Sequence, residues 1–525
     1  MEKAKENESA RAIAVTSKRQ KRRRIIRTTV ASVIVLFANL IFFFMLWMIK
    51  QYKNVQFDQI LYQAKSPIEG TNSGIVANAL LVTVLPGVLT AALEIIIYIF
   101  LTGTLKDKLS SFKAYITYSA TRVASFFKKR YMTISSLILI ASIFTFIFRL
   151  EIHVFVSNQI KESSFIEEHY VDPDKASISF PEAKRNLIYI YLESMENTFS
   201  DVEVIGEKVP ENPMPELSAI RENNISFSSN GGKYGAYSYV GTTWTAAGMF
   251  AQTSGVPIKV ALDFNTYGMD GDFMPGITTL GDILSREGYN QSLLLGSDAS
   301  FAARDTYFTE HGNYNIIDVY TLIDEGKLPD DYWEWWGVED AKLFDFAKEE
   351  ITRLSSEGKP FNFTTLTADT HCPDGYFCDE CESKYEDQYA NVLACSSKQI
   401  AEFLGWLKAQ PFYENTTVII SGDHLTMDTE FLENLDDDYI RTVYNCIINA
   451  PIEPVRKSDR EFGTFDMFPT TLAALGATIE GDRLGLGTNL FSAEKTLTEI
   501  YGFDMINSEL SRRSEFYLKT FYEKE

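Results

Sequence analysis

Asn186-Leu-Ile-Tyr-Ile-Tyr-Leu-Glu193-Ser194 and Thr416-Thr-Val-Ile-Ile-Ser-Gly-Asp423-His424 are two apolar runs that each end on an acidic residue. Runs of this length, rich in β-branched and aromatic residues, read as strands buried on both faces. Open α/β sheets place ligands just beyond the carboxyl ends of such strands, so Glu193, Asp423 and His424 are expected in one crevice. Around them, residues 291–295, 361–367 and 441–448 read as further strands. Residues 340–354 and 398–409 read as amphipathic helices. Alternation of this kind predicts an α/β fold with a parallel-rich central sheet flanked by helices, beginning near Asn186 and running over residues 186–525.

The chain has 525 residues, 45% hydrophobic and 13% aromatic, enough for more than one region with a large core. Its charge is uneven: residues 1–150 hold 21 Lys/Arg against 7 Asp/Glu, leaving 28 against 64 for the remainder. The basic residues flank apolar segments and the acidic bulk repels phosphate chains, which argues against a nucleic-acid partner. Residues 28–49 and 131–148 are free of charge, and residues 73–103 carry only Glu94. Each is long enough to span a bilayer. The first follows a basic tail, residues 1–27, whose opening dozen read as disordered. It lacks the small-residue cleavage site of a removable signal peptide.

Residues 28–150 are thus expected to form a membrane domain of three helices. Lys/Arg-rich stretches at the N-terminus and over 106–130 face the cytoplasm, and everything after about Glu151 lies outside in a bacterial cell membrane. Residues 151–185, with Val171-Asp-Pro-Asp174, read as a stalk. Glu94 inside the second span is costly there, and is either a functional group or paired with a neighbouring helix.

Two carboxylates and an imidazole suit Mn²⁺ or Mg²⁺ better than a thiolate-seeking metal, although Zn²⁺ also fits. Thr242 follows Gly241 and precedes Thr245-Ala-Ala-Gly-Met-Phe, a run that reads as a helix start, where backbone N–H donors favour a phosphate. Ser and Thr are also common helix caps, so Thr242 gains meaning only beside a metal that strips its proton. Four of five cysteines, Cys372, Cys378, Cys381 and Cys395, lie close in sequence. One or two disulfides or a zinc knot would account for them, whereas Cys446 reads as a buried free thiol. Tyr332-Trp-Glu-Trp-Trp336 is either core or the lining of a glycan or lipid groove.

Several motifs occur in a fixed order: Leu-Glu193-Ser, Gly241-Thr-x-x-Thr-x-Ala-Gly-Met, Gly296-Ser-Asp-Ala-Ser-Phe-Ala, Trp336-Gly-Val-x-Asp, Asp369-Thr-His-x-Pro-Asp-Gly, Ser421-Gly-Asp-His and Phe465-Asp-Met-Phe-Pro-Thr-Thr. Together, over residues 186–487, they resemble the sulfatase-like phosphoglycerol transferases of the alkaline-phosphatase superfamily. That group includes lipoteichoic acid synthase and the enzymes that add phosphoglycerol to periplasmic glucans. The resemblance implies that Glu193, Thr242, Asp423 and His424 are metal ligands, Thr242 being also the catalytic nucleophile, and that His371 and Arg304 bind the substrate. Residues 300–303 lack the Trp that lipoteichoic acid synthases place before this Arg, and three spans instead of five lean toward the glucan-modifying branch.

It further implies a phosphatidylglycerol donor in the membrane, a phospho-threonine intermediate, and a glycan or teichoic-acid-type acceptor. A phosphoethanolamine transferase of the same fold, or a silent membrane-anchored glycan or lipid binder, are the alternatives. A true sulfatase is disfavoured, since no Cys/Ser-x-Pro-x-Arg segment is present.

Overall fold

Charge-free apolar runs satisfy their backbone groups internally as helices, and the computed structural model shows three of them: α1 (Glu2–Gln51), α3 (Ser73–Thr102) and α4 (Thr117–Arg149), with a short helix α2 (Phe57–Lys65) between the first two. The structure describes residues 2–51, 56–67, 73–102, 117–206, 209–260, 267–268, 271–428, 430–436 and 438–523. Met1–Lys53 with Ser73–His153 form one compact unit, and Asn54–Asn72 with Val154–Glu525 the other. Within the first unit, Val15–Lys50, Val76–Ile99 and Lys129–Arg149 are long and apolar enough to cross a membrane. Tyr98 stacks on Tyr131 with ring centroids 3.7 Å apart, and Asn39 Nδ2 donates to Glu94 Oε2 over 3.3 Å. Glu94 is therefore paired with a neighbouring helix. Residues 106–116 of the expected basic loop lie outside the described residues.

Two sequence expectations change here. The opening residues are helical from Glu2, not disordered, because Glu, Lys, Ala and Arg extend a helix that the apolar run nucleates. Residues 157–185 are not a free stalk. Phe165 and Ile166 are buried, and β1 (Ile178–Ser179) pairs with β8 (Thr478–Ile479), so the folded unit begins well before Asn186.

The central sheet uses β2 (Asn186–Leu192), β3 (Asn290–Leu295), β4 (Asn315–Ile317), β5 (Phe361–Leu366), β6 (Thr416–Gly422) and β7 (Asn445–Ile448), in the order β4-β3-β5-β2-β6-β7. All neighbours are parallel except β6 and β7, which are antiparallel. Leu187, Tyr189 and Tyr191 point into one apolar layer with helices Thr245–Ser254 and Met467–Ala474. Ile188, Ile190 and Leu192 point into the other with helices Asp340–Ser356 and Gln388–Lys408. This is the period-two alternation of a strand covered on both faces, and each such Ile or Leu contributes roughly 1.5–3 kcal/mol by burial.

Helix Gln388–Lys408 starts ten residues before the expected 398 because Asp387 caps it, accepting from the Ala390 N–H. The last strand starts at Asn445 instead of 441, since Arg441 turns to pair with Glu196.

Candidate active site

The register of β2 against β6 sets the site. Tyr191 faces Ser421 and Leu192 faces Gly422, so Glu193 and Asp423 leave the sheet side by side at its carboxyl edge. Ser194, at φ 56°, turns the chain there: its N–H donates to Asp423 Oδ1 over 2.8 Å and its hydroxyl to Glu193 Oε1 over 2.9 Å. His424 N–H also donates to Asp423 Oδ1, over 2.7 Å. One ligand atom from each of Glu193, Asp423 and His424 lies within 4.8 Å of the others, and all three residues are buried.

These residues fit a divalent cation. His424 Nδ1 is within 2.7 Å of the Leu425 carbonyl, which holds a proton on Nδ1 and turns Nε2 toward the carboxylates as the atom that a cation would take on loss of its proton. Nε2 stands 3.3 Å from Glu193 Oε1 and 3.5 Å from Asp423 Oδ2. Asp423 Oδ2 is buried and accepts no hydrogen bond, an expensive state for a carboxylate oxygen that a cation relieves. Burial, reinforced by the charge on Glu193, pushes Asp423 up to about 8. Burial alone would raise Glu193 too, but the hydrogen bond with His424 and the His371 imidazole hold it at about 2. Burial would lower His424, yet Asp423 and Glu193 carry it up to about 9.

The hydroxyl at this cluster is not the expected one. Thr242 is fully buried and turned into its own loop, donating to the Tyr239 carbonyl over 2.9 Å and accepting from the Tyr239 N–H over 3.0 Å. Thr245 instead donates to Glu193 Oε2 over 3.3 Å, and its Oγ1 is 3.3 Å from His424 Nε2. Trp244 occupies the cap position, so Thr245 is the first residue of helix Thr245–Ser254 and sits at its N-terminal dipole. The anion-binding argument applied to the helix start itself would have chosen Thr245. The Gly-Thr-x-x-Thr motif contained both threonines. Gly248, one turn on, lets this helix touch the Asp423 carbonyl; a Cβ there would lie 2.0 Å from that oxygen.

His371 is near enough to Glu193 for the two charges to interact. Burial keeps it below the ordinary imidazole value, so it is neutral near pH 7. Its Nδ1 lies 2.6 Å from the Cys372 carbonyl, which leaves Nε2 as a base. Trp336 packs on this ring at 4.6 Å, a wall of the site within the aromatic stretch. Of the Asp-Thr-His motif, Thr370 donates to the Glu193 carbonyl over 2.6 Å and Asp369 accepts from the Asp340 N–H over 3.2 Å, so both position the loop.

Arg304 is buried, and its guanidinium donates to Asp298 O over 2.7 Å and Ser297 Oγ over 3.0 Å. Burial lowers its pKa against the pull of Glu193. Ala302 and Ala303 precede it at φ 57° and 59°, left-handed for residues with a Cβ. Helix α2 lies beside this turn: Tyr62 donates to the Ala302 carbonyl over 2.8 Å and packs on Trp244 at 5.3 Å.

A family model described as Sulfatase matches residues 185–477. Phosphoglycerol transferase I of Salmonella choleraesuis is 31% identical over 344 residues, covering 63% of this chain and 42% of the relative. The enzyme of the same name from Escherichia fergusonii is 32% identical over 344 residues with the same coverage. The chain thus spans less than half the length of these relatives. Among solved structures, the integral membrane lipooligosaccharide phosphoethanolamine transferase A from Neisseria meningitidis superposes with a TM-score of 0.50 at 13% identity, over 85% of this chain and 84% of that one, which speaks for the fold alone.

Proposed function

The chain belongs to the sulfatase family, and from that premise we propose that it is a membrane-anchored, metal-dependent phosphoglycerol transferase in which Thr245 is the nucleophile. The observation that carries this reading is the Thr245 hydroxyl, 3.3 Å from both Glu193 Oε2 and His424 Nε2 at a helix N-terminus. The similarity to phosphoglycerol transferase I supports the glycerol-phosphate headgroup, with phosphatidylglycerol as donor and a glycan or teichoic-acid-type polymer as acceptor.

A divalent cation, Mn²⁺ by preference for two carboxylates and one imidazole, would be held by Glu193, Asp423 and His424 and would lower the pKa of the threonine hydroxyl and offset phosphoryl charge. Thr245 Oγ1 gives its proton to His371 Nε2 and attacks the donor phosphorus. The bond to the diacylglycerol oxygen breaks, that oxygen takes the proton from His371 and leaves as diacylglycerol, and glycerophospho-threonine forms. The N-terminal N–H groups of helix Thr245–Ser254 face the phosphate, and Arg304 adds positive charge beside Glu193. In the second half, His371 Nε2 takes the proton of the acceptor hydroxyl as that oxygen displaces Thr245, and returns it to Thr245 Oγ1.

The lipid donor explains the apolar helices. Asn54–Asn72, between the first two spans, lies in the same compact unit as Val154–Glu525, as expected if both are on one face of the membrane. Together with the basic flanks, this supports an extracytoplasmic catalytic domain.

Headgroup-labelled phosphatidylglycerol and a panel of glycan acceptors test the reading, with phosphatidylethanolamine as the competing donor. Label should move to a glycan with wild type and not with Thr245→Ala. Transfer from phosphatidylethanolamine alone would replace the headgroup assignment, and equal turnover in both proteins would end the threonine mechanism.

A further inference from the structure

A second group of metal-ligating side chains lies outside the active site. Cys378 and Cys381 sit on a tight turn in which the Cys381 N–H donates to the Cys378 carbonyl over 3.0 Å, so their thiols point the same way. Cys395, from helix Gln388–Lys408, meets them. Cys378 Sγ is 3.5 Å from Cys381 Sγ and 3.7 Å from Cys395 Sγ, and all three sulfurs lie within 4.8 Å of one another. Cys378 and Cys395 are buried, and all three are free thiols.

The spacing discriminates between chemistries. A disulfide brings two sulfurs to about 2.05 Å. Thiolates about 2.3 Å from a tetrahedral zinc stand about 3.8 Å from each other, the edge of that tetrahedron. The two separations, 3.5 and 3.7 Å, fall close to that edge. Three sulfurs also cannot all be joined by one disulfide, whereas one ion takes all three. Gln399, one turn after Cys395, points its Nε2 at Cys395 Sγ (3.5 Å) and Cys378 Sγ (3.8 Å), the N–H···S contacts that offset thiolate charge. Its Oε1 is buried without a partner. Gln399 Nε2 also lies 3.5 Å from Glu380 Oε2, and Glu380, Cys395 and Gln399 line one pocket, so a carboxylate stands next to the three sulfurs although it is not one of the group.

We propose that Cys378, Cys381 and Cys395 bind a zinc ion, with the fourth ligand a water from the adjoining pocket or Glu380 after side-chain rotation, at a site separate from the Glu193–Asp423–His424 cluster. On loading, each thiol gives up its proton and three zinc–sulfur bonds form. Soft thiolates select zinc, whereas the carboxylate-rich cluster accepts Mn²⁺ or Mg²⁺, so the two sites differ in metal. The ion staples the far end of the segment that carries His371 to helix Gln388–Lys408. Along that segment Tyr376 donates to Glu334 over 2.8 Å, and the Asp374 N–H donates to Asp428 over 2.9 Å. None of this depends on the phosphoglycerol reading, because it concerns other residues and its readout is not turnover.

The test uses the full chain in detergent, purified without chelator or reductant, in an Asp423→Asn background that empties the active-site cluster. Metal analysis should find one zinc per chain, lost in Cys381→Ser and in Cys395→Ser. Should those variants fold poorly, cobalt exchange into the unmutated cysteine set decides the matter: thiolate-to-cobalt charge-transfer bands are expected, and a mercurial should release the metal as the thiols are titrated. Zinc content indifferent to the cysteines, cobalt spectra without thiolate bands, or peptide mapping of a Cys378 disulfide in the purified protein would each overturn the proposal.

Discussion

Thr245 Oγ1 stands 3.3 Å from His424 Nε2, whereas the hydroxyl of Thr242, three residues earlier, is consumed by the backbone of Tyr239. The two threonines should therefore fail in different ways. Thr242→Val leaves the Tyr239 N–H without its buried partner, while the Tyr239 carbonyl keeps the Thr242 N–H at 3.0 Å, at a cost of about 1–3 kcal/mol in stability with the Glu193–Asp423–His424 cluster untouched. Thr245→Val should keep a near-normal denaturation midpoint and lose roughly 10³-fold or more in transfer. Denaturant melts beside turnover measurements separate them. A stable, inactive Thr242→Val beside an active Thr245→Val would reverse the assignment.

Cation loading should release protons. With Asp423 at about 8 and His424 at about 9, both carry a proton at pH 7, while Glu193 at about 2 does not. A cation needs the deprotonated forms of both, so affinity rises with pH and falls in acid. With two protons displaced and Asp423 half titrated at pH 8, the gain is about 50-fold between pH 7 and 8. Calorimetric titration of metal in two buffers of different ionisation enthalpy reads the proton count directly. Identical heats in the two buffers would contradict it.

Arg441 holds the loop beyond His424 through a buried ion pair. Its Nε donates to Glu196 Oε1 over 2.9 Å and its Nη2 to Glu196 Oε2 and, over 2.8 Å, to the Thr426 carbonyl, while Glu196 is fully buried. Arg441→Met leaves that carboxylate without a countercharge, held only by the Thr426 N–H 3.0 Å from Oε2, and should cost about 3–5 kcal/mol, most of it recovered in a double variant with Glu196→Gln. Urea melts of the single and double variants check it. A single variant as stable as wild type would show that Glu196 finds another partner.

The strands of the sheet and the carboxylates at their ends were legible because burial on both faces writes itself as the continuous apolar runs 186–192 and 416–420. Which threonine met them was not. That depends on a loop geometry in which Trp244, not Thr242, becomes the helix cap, and side-chain preference at caps pointed the other way. The segment 157–185 misled for a related reason: its Asp, Ser and Pro content is that of a linker, but its buried residues, Phe165, Ile166 and Pro173, are too few to form a periodic pattern. Likewise α2 is legible only in three dimensions, since what holds it is the long-range bond from Tyr62 to Ala302.

Gly248 tests whether the approach of one helix sets the geometry of the reaction. A Cβ there would meet the Asp423 carbonyl oxygen at 2.0 Å and its carbon at 2.7 Å, both backbone atoms that cannot swing aside. Helix Thr245–Ser254 would have to withdraw, taking Thr245 away from Glu193 and His424. Gly248→Ala should therefore cost about 1–3 kcal/mol by overpacking and, with a displacement of about 1 Å at the proposed nucleophile Thr245, roughly 10²-fold in kcat. Gly405→Ala is the internal comparison: it is also helical, is exposed, and has nothing within 4 Å of a new Cβ. That change should stabilise the helix by about 0.5–1 kcal/mol through propensity alone, with transfer unaltered. Parallel melts and kcat measurements on the two alanine variants decide the point, and a Gly248→Ala protein as stable and as active as Gly405→Ala would show that the contact with Asp423 does not place Thr245.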